Sequence, residues 1–196
     1  MAQIKILIEG YAKEVNNSDY ASSTTTLILA ADKKIIVDPG MNKQLLLAAL
    51  KKEGLSTGDI DYVMLTHYHI DHSFLTAIFE NAKAIDYSDV FSSDGKIESH
   101  DGIIPETNIK IISTPGHMSS HCSVIVETEE FGMVVIAADV IWWSDEEEQK
   151  TDGASLIKHE DPYAENMVQL IESRKKILEI ADYIVPGHGK MFKVEK

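Results

Sequence analysis

The sequence predicts an α+β protein with one domain over residues 1–196, on three observations. Short aliphatic and β-branched segments recur along the whole chain, and only three segments carry a helical signal. The 196 residues suffice for one sizeable core and are too few for a comfortable second one. In order, Ile4–Glu9, Thr24–Ala31 and Lys34–Val37 read as strands, the last following an Asp32-Lys33 turn. Asn42–Leu50 reads as a helix, with Leu45, Leu46 and Ala49 on one face and Gly54 as its stop signal. Tyr62–Thr66 is a strand and Asp71–Phe79 a helix. Ile109–Ser113, Cys122–Glu127 and Met133–Ala137 are strands. Pro162 suits the first turn of a long helix to Ile180, striped by Met167, Leu170, Ile171, Ile177 and Leu178, with Arg174 expected on its exposed side. Asp182–Val185 closes the set as a short strand. Tyr11–Ser23, Ser88–Asn108 and Ser144–Glu160 read as irregular, and Asp145–Glu148 as a solvated acidic run.

Composition narrows the function classes. Hydrophobic content of 44% and charged content of 26% are those of an ordinary globular protein. No apolar stretch approaches the roughly 18–20 residues a membrane span needs, so no membrane partner is expected. The start, Met1-Ala2-Gln3-Ile4-Lys5, lacks the apolar core of a secretory signal, and the single Cys122 rules out an internal disulfide; the cytoplasm is the default expectation. The net charge of −14 repels phosphate backbones and disfavours a nucleic-acid partner, although a cleft can be locally positive on an acidic protein. A small-molecule substrate is expected instead. The oligomeric state, a homo-oligomer included, is left open.

The most informative segment is His67-Tyr68-His69-Ile70-Asp71-His72. Strand alternation puts His67 and His69 on one side of an extended backbone, about 7 Å apart along it, and turns Tyr68 to the other. Asp71 and His72 follow as the chain leaves the strand. Imidazole and carboxylate suit zinc, manganese or iron, and four such groups in six residues can begin a two-metal site. A polar surface turn is the plain alternative, but it would have to end the buried-looking Tyr62-Val63-Met64-Leu65 run with four costly groups. Four later residues share one context, a ligand-type side chain at a strand end or in a glycine-bearing turn. They are Asp38 before Pro39-Gly40, His117 after Pro115-Gly116, Asp139 after Ala137-Ala138, and His188 between Gly187 and Gly189.

An Asp, then His-x-His-x-Asp-His, then His, Asp and His, each after a strand, resembles the metallo-beta-lactamase superfamily, and here the pattern runs from Asp38 to His188. The resemblance implies a four-layer αββα sandwich of two mixed sheets flanked by helices, with the site at one edge of the sheets. It also implies two divalent ions, zinc first, with manganese or iron as alternatives. His67, His69 and His117 would hold the first, Asp71, His72 and His188 the second, and Asp139 would bridge them. Asp38 would orient a ligand by hydrogen bonding, and Asp71 would also serve catalysis by orienting the nucleophile.

An aspartate at 139 is unlike the classical zinc beta-lactamases and more like glyoxalase II, lactonases and related hydrolases. The chain departs from glyoxalase II in continuing His72-Ser73-Phe74-Leu75 without glycines, and it ends eight residues after His188, where a C-terminal helical domain would begin. Small metallo-beta-lactamase-domain proteins fit best. Cys122 lies in the wrong motif for a ligand and is expected to be buried. His121 is a candidate for a supporting or substrate contact, with simple packing as the alternative. Trp142 and Trp143 are candidates for a substrate pocket, one of them being expected in the core. The first expectation is therefore a dinuclear hydrolase of a small ester, lactone or thioester. A phosphodiesterase or ribonuclease of the same fold, a mononuclear iron persulfide dioxygenase using His67, His117 and Asp139, and a non-catalytic scaffold are the competitors.

Overall fold

The computed structural model describes residues 1–195. In chain order the strands are β1 (Gln3–Ile8), β2 (Tyr11–Val15), β3 (Ser18–Ser22), β4 (Thr25–Ala30), β5 (Lys33–Val37), β6 (Tyr62–Met64), β7 (Lys83–Ile85), β8 (Asp89–Phe91), β9 (Ile97–Ser99), β10 (Lys110–Ser113), β11 (Cys122–Thr128), β12 (Gly132–Ala138), β13 (Tyr183–Pro186) and β14 (Phe192–Lys193). The helices are α1 (Lys43–Lys52), α2 (Ile70–Ser73), α3 (Gly153–Lys158) and α4 (Met167–Ile180).

Strands β1-β4-β5-β6-β7-β8-β9 form one sheet and β10-β11-β12-β13-β14 a second, while β2 and β3 pair as a separate hairpin. Both large sheets are mixed: β5, β6 and β7 run parallel, as do β12 and β13, and their other pairings are antiparallel. Residue alternation assigns the layers. Ile35 and Val37 of β5 meet Val124, Val126, Val134 and Ile136 of the second sheet in a shared core. Their neighbour Ile36 faces the other way, with Leu27 and Val63, onto Leu46 and Leu50 of α1. On the far side, Val135, Ala137 and Ile184 pack against Leu170 and Ile177 of α4 and Leu156 of α3. The result is the helix–sheet–sheet–helix sandwich.

This layering places one end of five strands along one edge. β5 and β6 are parallel, as are β12 and β13, and β10 runs in the direction of β12 because β11 is antiparallel to both. Asp38, His67, His117, Asp139 and His188 all follow the carboxyl ends of these strands, the usual binding edge of parallel strands.

Several local expectations are corrected. Tyr11–Ser23 is a hairpin, turned at Asn16 and Asn17 with φ of 52° and 58°, the left-handed pair that a two-residue turn of this hand requires and that asparagine tolerates. Ser88–Asn108 contains β8 and β9, and Ser144–Glu160 contains α3. The Asp71–Phe79 helix is instead α2 and a separate 3₁₀ turn at Thr76–Ile78, because the Leu75 N–H donates to the Gly40 carbonyl. The long helix begins at Met167 rather than Pro162, because the Asn166 side chain caps it by accepting from Gln169 N. Cys122 is buried as expected.

Arg174 is fully buried rather than exposed. Its Nε donates to the Val140 carbonyl at 2.8 Å and its Nη1 to the His159 carbonyl, tying α4 to the segments that follow Asp139 and precede Asp161. Burial draws its pKa down to about 10, so it stays charged at neutral pH. Arg174→Met strands both carbonyls, at a cost of about 3 kcal/mol. For a chain of this length that should lower the melting temperature by about 6–12 °C in a calorimetric scan.

Candidate metal centre

The edge of the sandwich gathers three imidazoles and a carboxylate into one group, His67, His69, His117 and Asp139. Asp71, His72 and His188 form a second, the donor atoms of each group lying within 4.8 Å of one another. Asp139 stands between them. Its Oδ2 is 3.3 Å from His117 Nε2 and 3.6 Å from His67 Nε2, while its Oδ1 is 3.1 Å from His72 Nε2 and 3.8 Å from His188 Nε2. His117 Nε2 is 3.0 Å from His69 Nδ1, and Asp71 Oδ2 is 3.2 Å from His188 Nε2.

These atoms converge without satisfying one another. His67 Nε2, His72 Nε2 and Asp139 Oδ1 are buried with no hydrogen-bond partner. Three such atoms in one place would cost several kcal/mol unless something meets them. Tetrahedral ligation at 2.0–2.1 Å spaces donor atoms about 3.3 Å apart, close to the separations found. The residues therefore fit a divalent ion.

Four of the imidazoles are held from behind. Asp38 Oδ2 sits 2.8 Å from His72 Nδ1 and accepts from Thr66 Oγ1 at 2.7 Å, and Asp38 Oδ1 accepts from Thr66 N at 2.9 Å. With its oxygens so engaged, Asp38 holds the His72 ring and Thr66 in place. The Thr66 hydroxyl is also 3.0 Å from His67 Nδ1. Asp161 Oδ2 lies 2.7 Å from His117 Nδ1, and the Tyr11 carbonyl 3.1 Å from His188 Nδ1. Thr66 was detectable in the sequence as the hydroxyl beside the first histidine. Asp161, a lone aspartate in an acidic stretch, carried no such signal.

The electrostatics leave lone pairs open on His67 and His69 but hold a proton on His72. Burial and the neighbouring His72 push His67 down to about 4, and burial with His117 lowers His69. Burial opposes charge on His72, but Asp139 and Asp38 outweigh it and hold its pKa well above the ordinary value. Burial likewise opposes ionisation of Asp139, yet His72 and His67 hold it well below the usual carboxylate range. His188 does the same for Asp71 more weakly. A proton on His72 thus fills part of the gap that a metal would fill.

The Lactamase_B family model, described as the metallo-beta-lactamase superfamily, matches residues 19–87, which include Asp38 and the His67–His72 run. Metallo-beta-lactamase domain-containing protein 1 of Mus musculus is 31% identical, over 96% of this chain and 74% of its own length. The chain belongs to the metallo-beta-lactamase superfamily. Among solved structures, a metallo-beta-lactamase-type protein of Thermotoga maritima superimposes with a TM-score of 0.74 at 24% identity, covering 98% of this chain and 99% of its own. AidC, a dizinc quorum-quenching lactonase, does so with 0.59 at 18%, covering 87% and 73%. At these identities the two structures speak for the fold. Superfamily members are mainly metal-dependent hydrolases, and the fold implies divalent metal binding.

One expectation needs correction here. His121 is fully buried, so it touches no substrate; its Nδ1 pairs with the Thr114 hydroxyl at 3.0 Å and its ring lies 4.9 Å from that of His67. It supports His67 by packing, not by a hydrogen bond. The two tryptophans divide as expected, one to the cleft and one to the core: Trp142 lines the cleft over the site, 6.0 Å from the His188 ring, and Trp143 packs on Phe192 under α3 and α4. The same cleft, about 480 Å³, is bounded by the β2–β3 hairpin and by Tyr163.

Proposed function

We propose that the protein is a dinuclear metal-dependent hydrolase of a small ester, lactone or thioester. The observation that carries this is Asp139, whose two oxygens face two separate donor groups. His67, His69 and His117 would hold one ion, Asp71, His72 and His188 the other, and Asp139 both, with zinc the first candidate from the nitrogen and oxygen donor set. Bound ions of this kind supply Lewis acidity and a water acidic enough to lose its proton near neutrality. Asp71, one-fifth exposed at the cleft floor, would orient the attacking water and take up a proton. Asp38, Thr66, Asp161 and the Tyr11 carbonyl keep the imidazoles in place. Trp142, buried, and Tyr163, exposed, line one wall.

A cleft of about 480 Å³ suits a small molecule. Its lining carries Glu14, Asp19 and Glu146 against Lys13 alone, which supports a carboxylic ester, lactone or thioester over a phosphodiester. The dizinc lactonase among the fold neighbours accords with this choice.

Elemental analysis of protein purified without chelator or added metal tests the reading. About two equivalents of zinc or manganese per chain are expected. One equivalent of iron would transfer the case to the oxygenase built on His67, His117 and Asp139. A further check lies behind the ligands. Asp161→Ala should weaken metal binding about 10–100-fold in a chelator competition while leaving the fold intact, because His117 loses the group that fixes its tautomer. Unchanged affinity would separate Asp161 from the metal centre.

A further inference from the structure

Two histidines of the centre rest directly on a buried carboxylate, His72 on Asp38 and His117 on Asp161. His188 rests instead on a main-chain carbonyl, that of Tyr11, 3.1 Å from its Nδ1. A carbonyl only accepts, so Nδ1 carries the proton and Nε2 keeps the lone pair facing Asp71 and Asp139. The Tyr11 carbonyl is one end of a peptide unit whose other end is the Ala12 N–H. That N–H donates to Asp145 Oδ1 at 3.1 Å. The unit is planar and rigid, so a bond at one end constrains the direction of the other. A continuous line of contacts therefore runs from the Asp145 carboxylate through one peptide to His188.

Asp145 grips residue 12 twice. Besides the side-chain bond, its own N–H donates to the Ala12 carbonyl at 2.7 Å, so both main-chain groups of Ala12 on the open edge of β2 are taken by one residue. Lys13 Nζ stands 3.7 Å from the other carboxylate oxygen. The sequence places Asp145 in a solvated acidic run, and Glu146 and Glu148 are exposed accordingly. Asp145 differs from them in joining the loop that carries Ser144 and Glu146 to the hairpin, two sides of the cleft. The neighbouring Gly10–Gly189 bridge does not do the same work. Its Gly10 carbonyl, 3.0 Å from Gly189 N, belongs to the preceding peptide unit, and the two soft dihedrals of Tyr11 lie between them.

Given the two-ion reading above, in which His188 is a ligand, we infer that Asp145 is a positioning residue for the metal centre. Through the Tyr11–Ala12 peptide it does for His188 what Asp38 and Asp161 do directly for His72 and His117. A carboxylate accepting the N–H also polarises the peptide, which makes its carbonyl the stronger acceptor for His188 Nδ1.

The test follows the His188 Nδ1 proton by nuclear magnetic resonance in protein with isotope-labelled histidine, metal-free and zinc-loaded, and zinc affinity by chelator competition. Asp145→Ala keeps the main-chain bond to Ala12 and removes only the carboxylate. It should speed exchange of that proton with water about tenfold in both forms and weaken the second zinc about tenfold, the lower end of the loss from a direct partner. Asp145→Asn retains an acceptor oxygen and should restore both to within about threefold of wild type. Glu148→Ala removes the same charge from the same run and should change neither. A purely structural role in the loop would lower thermal stability without moving the His188 proton. An unaltered proton in Asp145→Ala, or equal losses in Asp145→Asn or Glu148→Ala, overturns the inference. The two-ion reading fails separately. Fewer than two equivalents in wild type, with the proton responding as stated, keeps the relay and rejects the dinuclear centre. Two equivalents with an unresponsive proton reject the relay alone.

Discussion

Asp139→Asn should leave a folded protein that holds at most one metal equivalent and has lost at least about 10²–10³-fold in hydrolysis. The amide keeps the shape of the carboxylate, so packing against Ala138 and Gly187 is preserved. What disappears is the pair of anionic oxygens, one aimed at His67 and His117 and the other at His72 and His188. An amide has one weak acceptor and a nitrogen that cannot ligate, so only one donor group retains a contact. The cleanest measure is thermal. A ligand present at a hundred times its dissociation constant stabilises the native state by about 2.7 kcal/mol, which for a chain of this length is about 5–11 °C. The wild-type protein should show such a rise for each tightly held zinc and the variant should lose at least one of them. Two equivalents and an unaltered rise in the Asn variant would remove Asp139 from the bridging position.

The His67–His72 run and the later strand-end candidates stood out for one physical reason, while the fold and the assignment of seven ligands came from the family resemblance. A buried strand does not normally end in ionisable side chains, so His67 after Tyr62–Leu65 and Asp139 after Val134–Ala138 stand out against the cost of burying them. The layer order followed from the family resemblance and agrees with the alternation of Ile35, Ile36 and Val37 between two cores. Groups that act through space were illegible. Asp161 reaches His117 across 44 residues of sequence, and the Tyr11 carbonyl reaches His188 across 177. Arg174 was misjudged because helical position argues for exposure, while its fork is spent on two backbone carbonyls that no pattern encodes. The hairpin over the cleft did leave a trace, the Asn16-Asn17 pair, masked by a polar composition that resembles a loop.

Gly187→Ala should damage the metal centre although residue 187 contributes no ligand. A Cβ at this position would collide with Asp139 Oδ1 and crowd the Ala138 carbonyl carbon. The Gly187 peptide cannot retreat. Its N–H donates to the carbonyls of Ala138 and Ile141 at 2.9 and 3.1 Å, and its own carbonyl accepts from Thr24 N at 2.7 Å. The carboxylate must therefore rotate, and the oxygen displaced is the one 3.1 Å from His72 Nε2. Overpacking of this kind costs about 1–3 kcal/mol, a fall of about 2–12 °C in melting temperature. The larger effect should be on the second ion, with stoichiometry falling toward one and hydrolysis falling with it. Gly153→Ala is the matched control, because a Cβ there meets nothing within 4 Å and the residue opens α3. It should leave metal content untouched. If Gly187→Ala retained both equivalents at full affinity, the collision would be relieved by a backbone shift, and the fixed placement of Asp139 between the two donor groups would no longer explain the site.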